Sequence, residues 1–510
     1  MSLLASKISA FKFYLPAVFA GALAPLSLSP VNFWPAAIIS VFVLLLTLEK
    51  TAPRQAAKIG WVFGLGFFGL GASWVYVSIN VYGNASGIFA AFLTAVFVAG
   101  LALLFALQCW VYQRYFSGLQ RALGFAACWV LFEWLRSWLL TGFPWLYLGY
   151  GHINTLLANL APVLGVLGIS FAIVLISGML YEMALIWRQE KRWMSKQLAI
   201  YELKFILIGI SLFFLGAISW IEEEQGLSAD IALVQANIDQ NLKFDPAYIA
   251  EGLNLYNGLS RPLWGNDIII WPETAIPLLY QRADTELAFF DRLARDNNSS
   301  LVTGILYRED SKIYNSVTAL GNGSGIYHKQ KLVPFGEYVP LTGIMEPVLQ
   351  IFSLPMSSLA SGPRNQALLE ASGFSLASYI CYEVVYPDFV RKQAHMADFL
   401  VTISNDTWFG GSFGPLQHLQ MAAMRALENG RYMVRATSNG VTAFIDEKGQ
   451  IVDQANQFEI AILESTVPVF HGRTPFSYWG SWPIVLFSFL MLALIAILRK
   501  IKNPARSPGN

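Results

Sequence analysis

The chain has 510 residues, more than one ordinary domain holds, and 13% of them are charged against 55% hydrophobic. A soluble globular chain carries roughly 25% charged residues, so a mean hydropathy of +0.48 implies that much of the surface faces lipid. A formal net charge of +1 gives no footing for nucleic acid, which is not expected as a partner.

Long apolar stretches recur through the first 221 residues, each near the ~20 residues a spanning helix needs. Spans are predicted near 11–29, 32–49, 59–81, 87–112, 122–140, 161–187 and 203–221, and an eighth near 480–498. Ala22, Leu23 and Ala24 resemble a signal-peptide cleavage site, but Pro25 follows directly and further spans come after it. The first span is therefore read as an uncleaved helix. Basic residues set the orientation. Lys7 and Lys12, then Lys50, Arg54 and Lys58, then Arg114 and Arg121, then Arg188 to Lys204, then Arg499 to Arg506 fall on one side. The intervening loops Leu28–Val31 and Tyr82–Gly87 carry no Lys or Arg. Positive charge marks the cytoplasmic side. Both termini are thus expected inside, and the segment between spans seven and eight outside, in the periplasm of a bacterium.

Within the fifth span, Glu133 and Arg136 are three residues apart on one helix face, where they are expected to pair. The stretch Thr141–Tyr150 is aromatic and carries Gly and Pro, which suits a re-entrant or interfacial loop or an ordinary aromatic belt.

From about Ser228 the texture changes to short β-rich runs alternating with helical ones. Strands are expected at Ile231–Ile238, Ile268–Trp271, Ser300–Leu306, Ser316–Leu320, Ser375–Cys381, Phe399–Ile403 and Thr442–Ile445. Helices are expected at Pro246–Leu263, Thr285–Asn297 and Gln417–Asn429. Runs such as Ile268–Trp271 are apolar at every position, as in sheets buried on both faces. The division is therefore a seven-helix transmembrane domain over 1–221, a layered α/β domain over 222–475, and an eighth helix with a cytoplasmic tail over 476–510.

Three segments of the α/β domain place a reactive side chain at or beside the end of a buried strand: Glu273 after Trp271 and Pro272, Lys329 before Leu332–Glu337, and Cys381 before Tyr382 and Glu383. Strand ends are where the sites of layered α/β folds gather. A thiol that attacks a carbonyl, a carboxylate that takes its proton and an ammonium that steadies the oxyanion make a complete set for acyl transfer. Cys109 and Cys128 lie in apolar runs, so Cys381 has no nearby disulfide partner. An unpaired thiol in an oxidising compartment is a hazard unless it has a job. Asn405, Asp406 and Trp408 follow another strand, where they suit either substrate contact or a turn. The five histidines show no metal-ligand spacing, and neither a metal nor another cofactor is expected.

The Trp-Pro-Glu, Lys-x-x-Leu-Val-Pro-Phe-Gly-Glu and Cys-Tyr-Glu runs resemble the signatures of the nitrilase, or carbon–nitrogen hydrolase, superfamily from about 230 to 465. Almost the whole length is similar to the apolipoprotein N-acyltransferase family. That likeness includes the seven spans before the α/β domain, Trp271–Pro277, Leu332–Leu341, Ile380–Glu383, Thr402–Gly410 and the final span. The resemblance implies about eight spans plus an αββα nitrilase-like sandwich. It implies Glu273 as general base, Lys329 as oxyanion-stabilising lysine and Cys381 as nucleophile, with Glu337, Tyr382 and Glu383 as supporting or substrate-binding residues. It also implies a phospholipid acyl donor, with phosphatidylethanolamine the expected headgroup, and a diacylated apolipoprotein acceptor at the bacterial inner membrane. One departure is Phe244, where the family often has Trp; an aromatic lid contact survives the change but the indole N–H does not.

The stretch Leu341–Leu359 is too apolar for a solvated loop, short for a span and interrupted by Pro347 and Pro355. It is expected to be a mobile flap facing the membrane or, alternatively, a segment packed on the domain core. A membrane-tethered amidase that lets water finish the reaction is the rival enzyme. A transporter or sensor fits less well, because all three catalytic residues are present and the spans carry few ionisable groups.

Overall fold

The computed structural model describes residues 14–118, 120–191, 195–339 and 359–502. Apart from Leu359, the expected flap lies outside them. The chain forms two compact units. One is the chain up to Ser219 together with the segment from Trp479 onward, and the other is Trp220–Tyr478.

In the first unit, four helices among the described residues are long and apolar enough to cross a membrane: Gly87–Phe116, Leu156–Glu190, Lys196–Gly216 and Trp482–Ile501. The pair Pro53–Gly71 and Trp74–Tyr82, bent by 57°, makes a fifth if taken as one broken span. The expectation of about eight is therefore met for four or five. The remaining stretches do form helices, but Tyr14–Ser27 and Pro35–Leu48 are short and Arg121–Arg136 has 16 residues. The last is cut short because the chain leaves helical geometry after Ser137, with Leu140 and Thr141 at positive φ.

Glu133 and Arg136 do not close the expected ion pair. Glu133 Oε1 accepts from Trp129 Nε1 at 2.9 Å and from the Leu148 backbone N–H at 3.1 Å. Arg136 donates to the Leu146 carbonyl at 3.4 Å, and its guanidinium lies over the Phe68 and Tyr147 rings. Both side chains thus grip the stretch after Gly142, whose Trp145, Leu146, Tyr147, Leu148 and Tyr150 are buried. Gly149 N–H donates to Ser170 Oγ. Irregular backbone among apolar helices is tolerated where protein groups satisfy it in this way, so these rings fill the interior of the unit instead of forming a surface belt.

Among the described residues, the second unit is a sandwich of two seven-stranded sheets. The first runs β14 (Ala461–Gly472), β1 (Ile221–Gln235), β2 (Ile268–Ile270), β4 (Ser300–Glu309), β5 (Lys312–Gly321), β7 (Ile326–His328), with β3 (Ile276–Leu279) beside β4. The second runs β13 (Ile451–Gln454), β12 (Ala443–Ile445), β11 (Met433–Thr437), β10 (Phe399–Ser404), β9 (Phe374–Ile380), β8 (Leu369–Ala371), β6 (Gly323–Ser324). At the heart of each sheet the strands are parallel: β1, β2 and β4 in one, β9, β10 and β11 in the other.

Alternation explains the uninterrupted apolar runs. Ile231, Leu233, Ile268 and Ile270 point between the sheets against Leu376, Ile380, Val401 and Val434. Their neighbours Ala232, Val234, Ile269 and Trp271 face outward onto Leu253, Tyr256, Leu287 and Phe290. The last four belong to the helices Pro246–Ser260 and Asp284–Asp296. Helices Pro387–Ala394 and Gly414–Asn429 pack against strands of the second sheet, completing four layers. Parallel strands deliver their C-terminal ends to one edge of each sheet, which brings the ends of β2, β9 and β10 together.

Candidate active site

Glu273 follows β2 through Trp271 and Pro272. Its Oε1 accepts from Asn315 Nδ2 at 2.6 Å and lies 3.5 Å from Lys329 Nζ. Its Oε2 accepts the backbone N–H of Asn405, just beyond β10, at 2.7 Å. Lys329 follows β7 and is 1% exposed. It donates to Glu337 Oε1 at 2.8 Å, while Glu337 Oε2 accepts the Val333 N–H at 2.8 Å. One buried lysine therefore serves two carboxylates. Burial alone would lower the Lys329 pKa, but Glu337 and Glu273 outweigh it and hold the ammonium charged. Lys331 points elsewhere, its ammonium over the Tyr386 ring.

Cys381 directly follows β9 and opens the short helix Cys381–Val385. Its φ is +52°, a region that a residue with a Cβ rarely takes and that clusters at functional sites. Burial, then the Glu273 carboxylate, push the thiol pKa up; Lys329 pulls the other way. Cys381 is thus a protonated thiol at rest, within electrostatic reach of a carboxylate and an ammonium.

Sequence comparison places this geometry. Residues 20–179 match the model of the apolipoprotein N-acyltransferase N-terminal domain, and residues 230–469 match that of the carbon–nitrogen hydrolases. The apolipoprotein N-acyltransferase of Pseudomonas syringae pv. tomato is 44% identical over 498 residues, covering 96% of this chain and 97% of that one. The enzyme of the same name from Photobacterium profundum is 41% identical, covering 95% of this chain and 94% of its own. The chain belongs to the apolipoprotein N-acyltransferase family. It is accordingly an acyltransferase carrying a carbon–nitrogen hydrolase domain. Among solved structures, a CN-hydrolase superfamily protein from Xanthomonas campestris matches 47% of this chain and 91% of its own. It does so at 19% identity and a TM-score of 0.37.

The other residues singled out in this family member fall in two groups. Glu383 is fully buried and binds both sides of the site. Its Oε1 accepts from Tyr327 Oη at 2.9 Å, Gln330 N at 2.6 Å and Lys331 N at 3.1 Å, and its Oε2 accepts from Ile380 N at 2.8 Å. The Lys329 segment and the Cys381 turn are therefore tied through one carboxylate, whose pKa burial raises to about 7. Tyr382 is buried edge-on to Tyr386. Phe244 and Trp408 are exposed. Asp406 is not placed for substrate contact: it is 1% exposed, and its oxygens accept from Ser404 Oγ at 2.7 Å and Arg435 at 2.5 Å.

Several residues of the site carried no signal in the sequence. Asn315 of β5 bridges Glu273 and Glu337 through its side-chain NH₂, and its backbone carbonyl accepts the Lys329 backbone N–H at 2.8 Å. Lys243, with its pKa lowered by burial to about 8, donates to the Glu273 carbonyl at 2.8 Å. Gly304 of β4 faces the Glu273 turn. A Cβ there would sit 2.2 Å from Thr274 N and 2.7 Å from the Pro272 oxygen, which are backbone atoms that cannot swing aside. Gly304→Ala is expected to push Glu273 off its partners. Thermal unfolding should show a loss of about 1–3 kcal/mol, and turnover should fall by roughly 10²-fold, the cost of a displacement of about 1 Å. Wild-type activity in that variant would show that the turn tolerates the shift.

Proposed function

We propose that the chain transfers an acyl chain from a phospholipid, through a thioester on Cys381, to the N-terminal amine of diacylglyceryl-cysteine on an apolipoprotein. The observation that carries this reading is the grouping of Glu273, Lys329 and Cys381 in one buried site of a chain that matches the family over 96% of its residues. As Sγ attacks the ester carbonyl, Glu273 accepts the thiol proton. The oxyanion forms beside Lys329, whose charge is fixed by Glu337 and Glu273. Collapse expels lysophospholipid, which leaves with the proton. In the second half the lipoprotein amine attacks the thioester and gives its proton to Glu273. The amide departs and the proton returns to sulfur. Burial of the site keeps water from competing with the amine. Both substrates are anchored by chains costing ~0.8 kcal/mol per CH₂ to bring into water, which is the reason for joining this domain to apolar helices.

Phosphatidylethanolamine is the proposed donor. The proposed setting is the bacterial inner membrane, crossed about eight times, with 222–475 in the periplasm and both termini in the cytoplasm. A topology reporter fused after Gly226 should be active only as a periplasmic reporter; cytoplasmic activity there would overturn the orientation. The chemical order has its own test. Without acceptor, the enzyme should release about one equivalent of lysophospholipid and stop, as ping-pong kinetics require. Continued release would mean that water finishes the cycle, and none at all would mean that both substrates must bind first.

A further inference from the structure

Cys381 is a strained residue, and strain of this kind persists only where the surroundings over-determine it. On its N-terminal side the restraint is Glu383, which takes the Ile380 N–H. On its C-terminal side, the carbonyl of Cys381 itself lies 3.2 Å from His418 Nε2. A carbonyl only accepts, so Nε2 carries a proton and donates it. His418 projects from the helix Gly414–Asn429 and is 1% exposed.

The imidazole is in turn fixed from behind. Its Nδ1 lies 3.0 Å from Asp406 Oδ1 and 3.1 Å from the Arg435 guanidinium. Asp406 takes the Arg435 hydrogen bond on its other oxygen and the Ser404 hydroxyl on Oδ1. Arg435 is fully buried and also donates to the Val441 carbonyl at 3.2 Å. Three ionisable side chains from β11, the turn after β10 and one helix therefore converge on one backbone oxygen of the nucleophile. A buried charged network is costly to maintain for packing alone.

We propose that His418, backed by Asp406 and Arg435, is a positioning residue of the acyl transfer. It holds the Cys381 backbone in its left-handed conformation so that Sγ faces Glu273 and Lys329. This rests on Cys381 being the nucleophile. The planar, trans peptide that follows leaves little freedom once its oxygen is held, so His418 sets the direction of Sγ without touching substrate.

The test compares His418→Gln, which keeps an N–H donor, with His418→Met, which has a similar reach and none. Two rates are measured on the full-length enzyme in detergent: acylation by phospholipid, and alkylation of Cys381 by iodoacetamide, with Cys381→Ser as the blank. Alkylation forms no tetrahedral intermediate and tolerates a misaligned sulfur. The Met variant should acylate roughly 10²-fold more slowly than the parent with KM for phospholipid little changed, while alkylating at the parental rate. The Gln variant should recover most of the loss. Acylation and alkylation falling together, Gln faring no better than Met, or misfolding of the Met variant would make His418 a packing residue and overturn the proposal. A parent enzyme that forms no thioester would remove the nucleophile assignment on which the proposal rests, and that is seen before any variant is made.

Discussion

Replacing Lys329 with Met is expected to slow turnover by about 10²–10³-fold and to cost several kcal/mol of stability as well. The ammonium is buried between Glu337 Oε1 at 2.8 Å and Glu273 Oε1 at 3.5 Å. Removing it leaves two carboxylates facing each other with only the Asn315 amide between them. Breaking a buried pair by deleting one partner typically costs about 3–5 kcal/mol. The chemical loss is separate: one oxyanion donor is worth about 10²–10³ in rate, and it is lost from both half-reactions. Adding Glu337→Gln to the Met variant separates the two effects. The double variant should regain part of the stability in denaturant titration and none of the activity. A single Met variant that unfolds at the parental denaturant concentration would show that the buried ammonium adds nothing net to stability.

The second large effect is expected at Glu383. Its four donors, Ile380 N, Gln330 N, Lys331 N and Tyr327 Oη, would be left without their acceptor by Glu383→Ala. Each unsatisfied buried donor costs about 1–3 kcal/mol, so the Cys381 turn and the Lys329 segment should separate or the domain should unfold. Glu383→Gln should be little better, because its NH₂ must face one of those donors. The Gln variant also carries a pH signature. Burial raises the carboxyl to about 7 in the folded chain, above its unfolded value near ~4.3. The folded state then binds the proton more tightly, so this contribution to stability is full below about pH 4 and is lost as pH rises through about 7. The stability difference between parent and Gln variant should therefore shrink by up to about 3 kcal/mol from pH 4 to pH 8. A difference that stays constant across that range would mean that Glu383 titrates normally.

Much of this architecture was legible in the sequence. The strands at Ile268–Ile270, Phe374–Ile380 and Phe399–Ser404 and the first part of β4, expected over Ser300–Leu306, stand where apolar runs predict them, because these stretches are largely buried on both faces. β14 is not legible as a strand, for a physical reason. It carries Pro468, which lacks an N–H for a ladder, and a sheet admits such a residue at an edge strand, where β14 lies. β11 is not legible either, because Arg435 interrupts its apolar run. Its burial depends on Asp406, 29 residues away in sequence.

The site was similarly divided. Glu273, Lys329 and Cys381 stand in contiguous runs that announce themselves. Asn315 does not: it is one amide in a strand, and only the pairing of β5 with β7 sets it beside the lysine. His418 and Asp406 join through tertiary contact alone. Helix length was the least legible property. Composition shows where apolar helices fall, but not that one would bend by 57° or that Glu133 and Arg136 would both hydrogen-bond to the loop after Gly142.

In the proposed cycle Cys381 carries the acyl chain. Mass spectrometry of the intact enzyme after mixing with a phospholipid of one defined acyl chain, without lipoprotein, tests it most directly. The expected result is an added mass equal to that acyl group, mapped to the peptide containing Cys381, released by hydroxylamine and transferred to a diacylglyceryl-cysteine peptide on its addition. An adduct that persists in Cys381→Ala, or a parent enzyme that makes triacylated product without ever carrying the acyl mass, would contradict it.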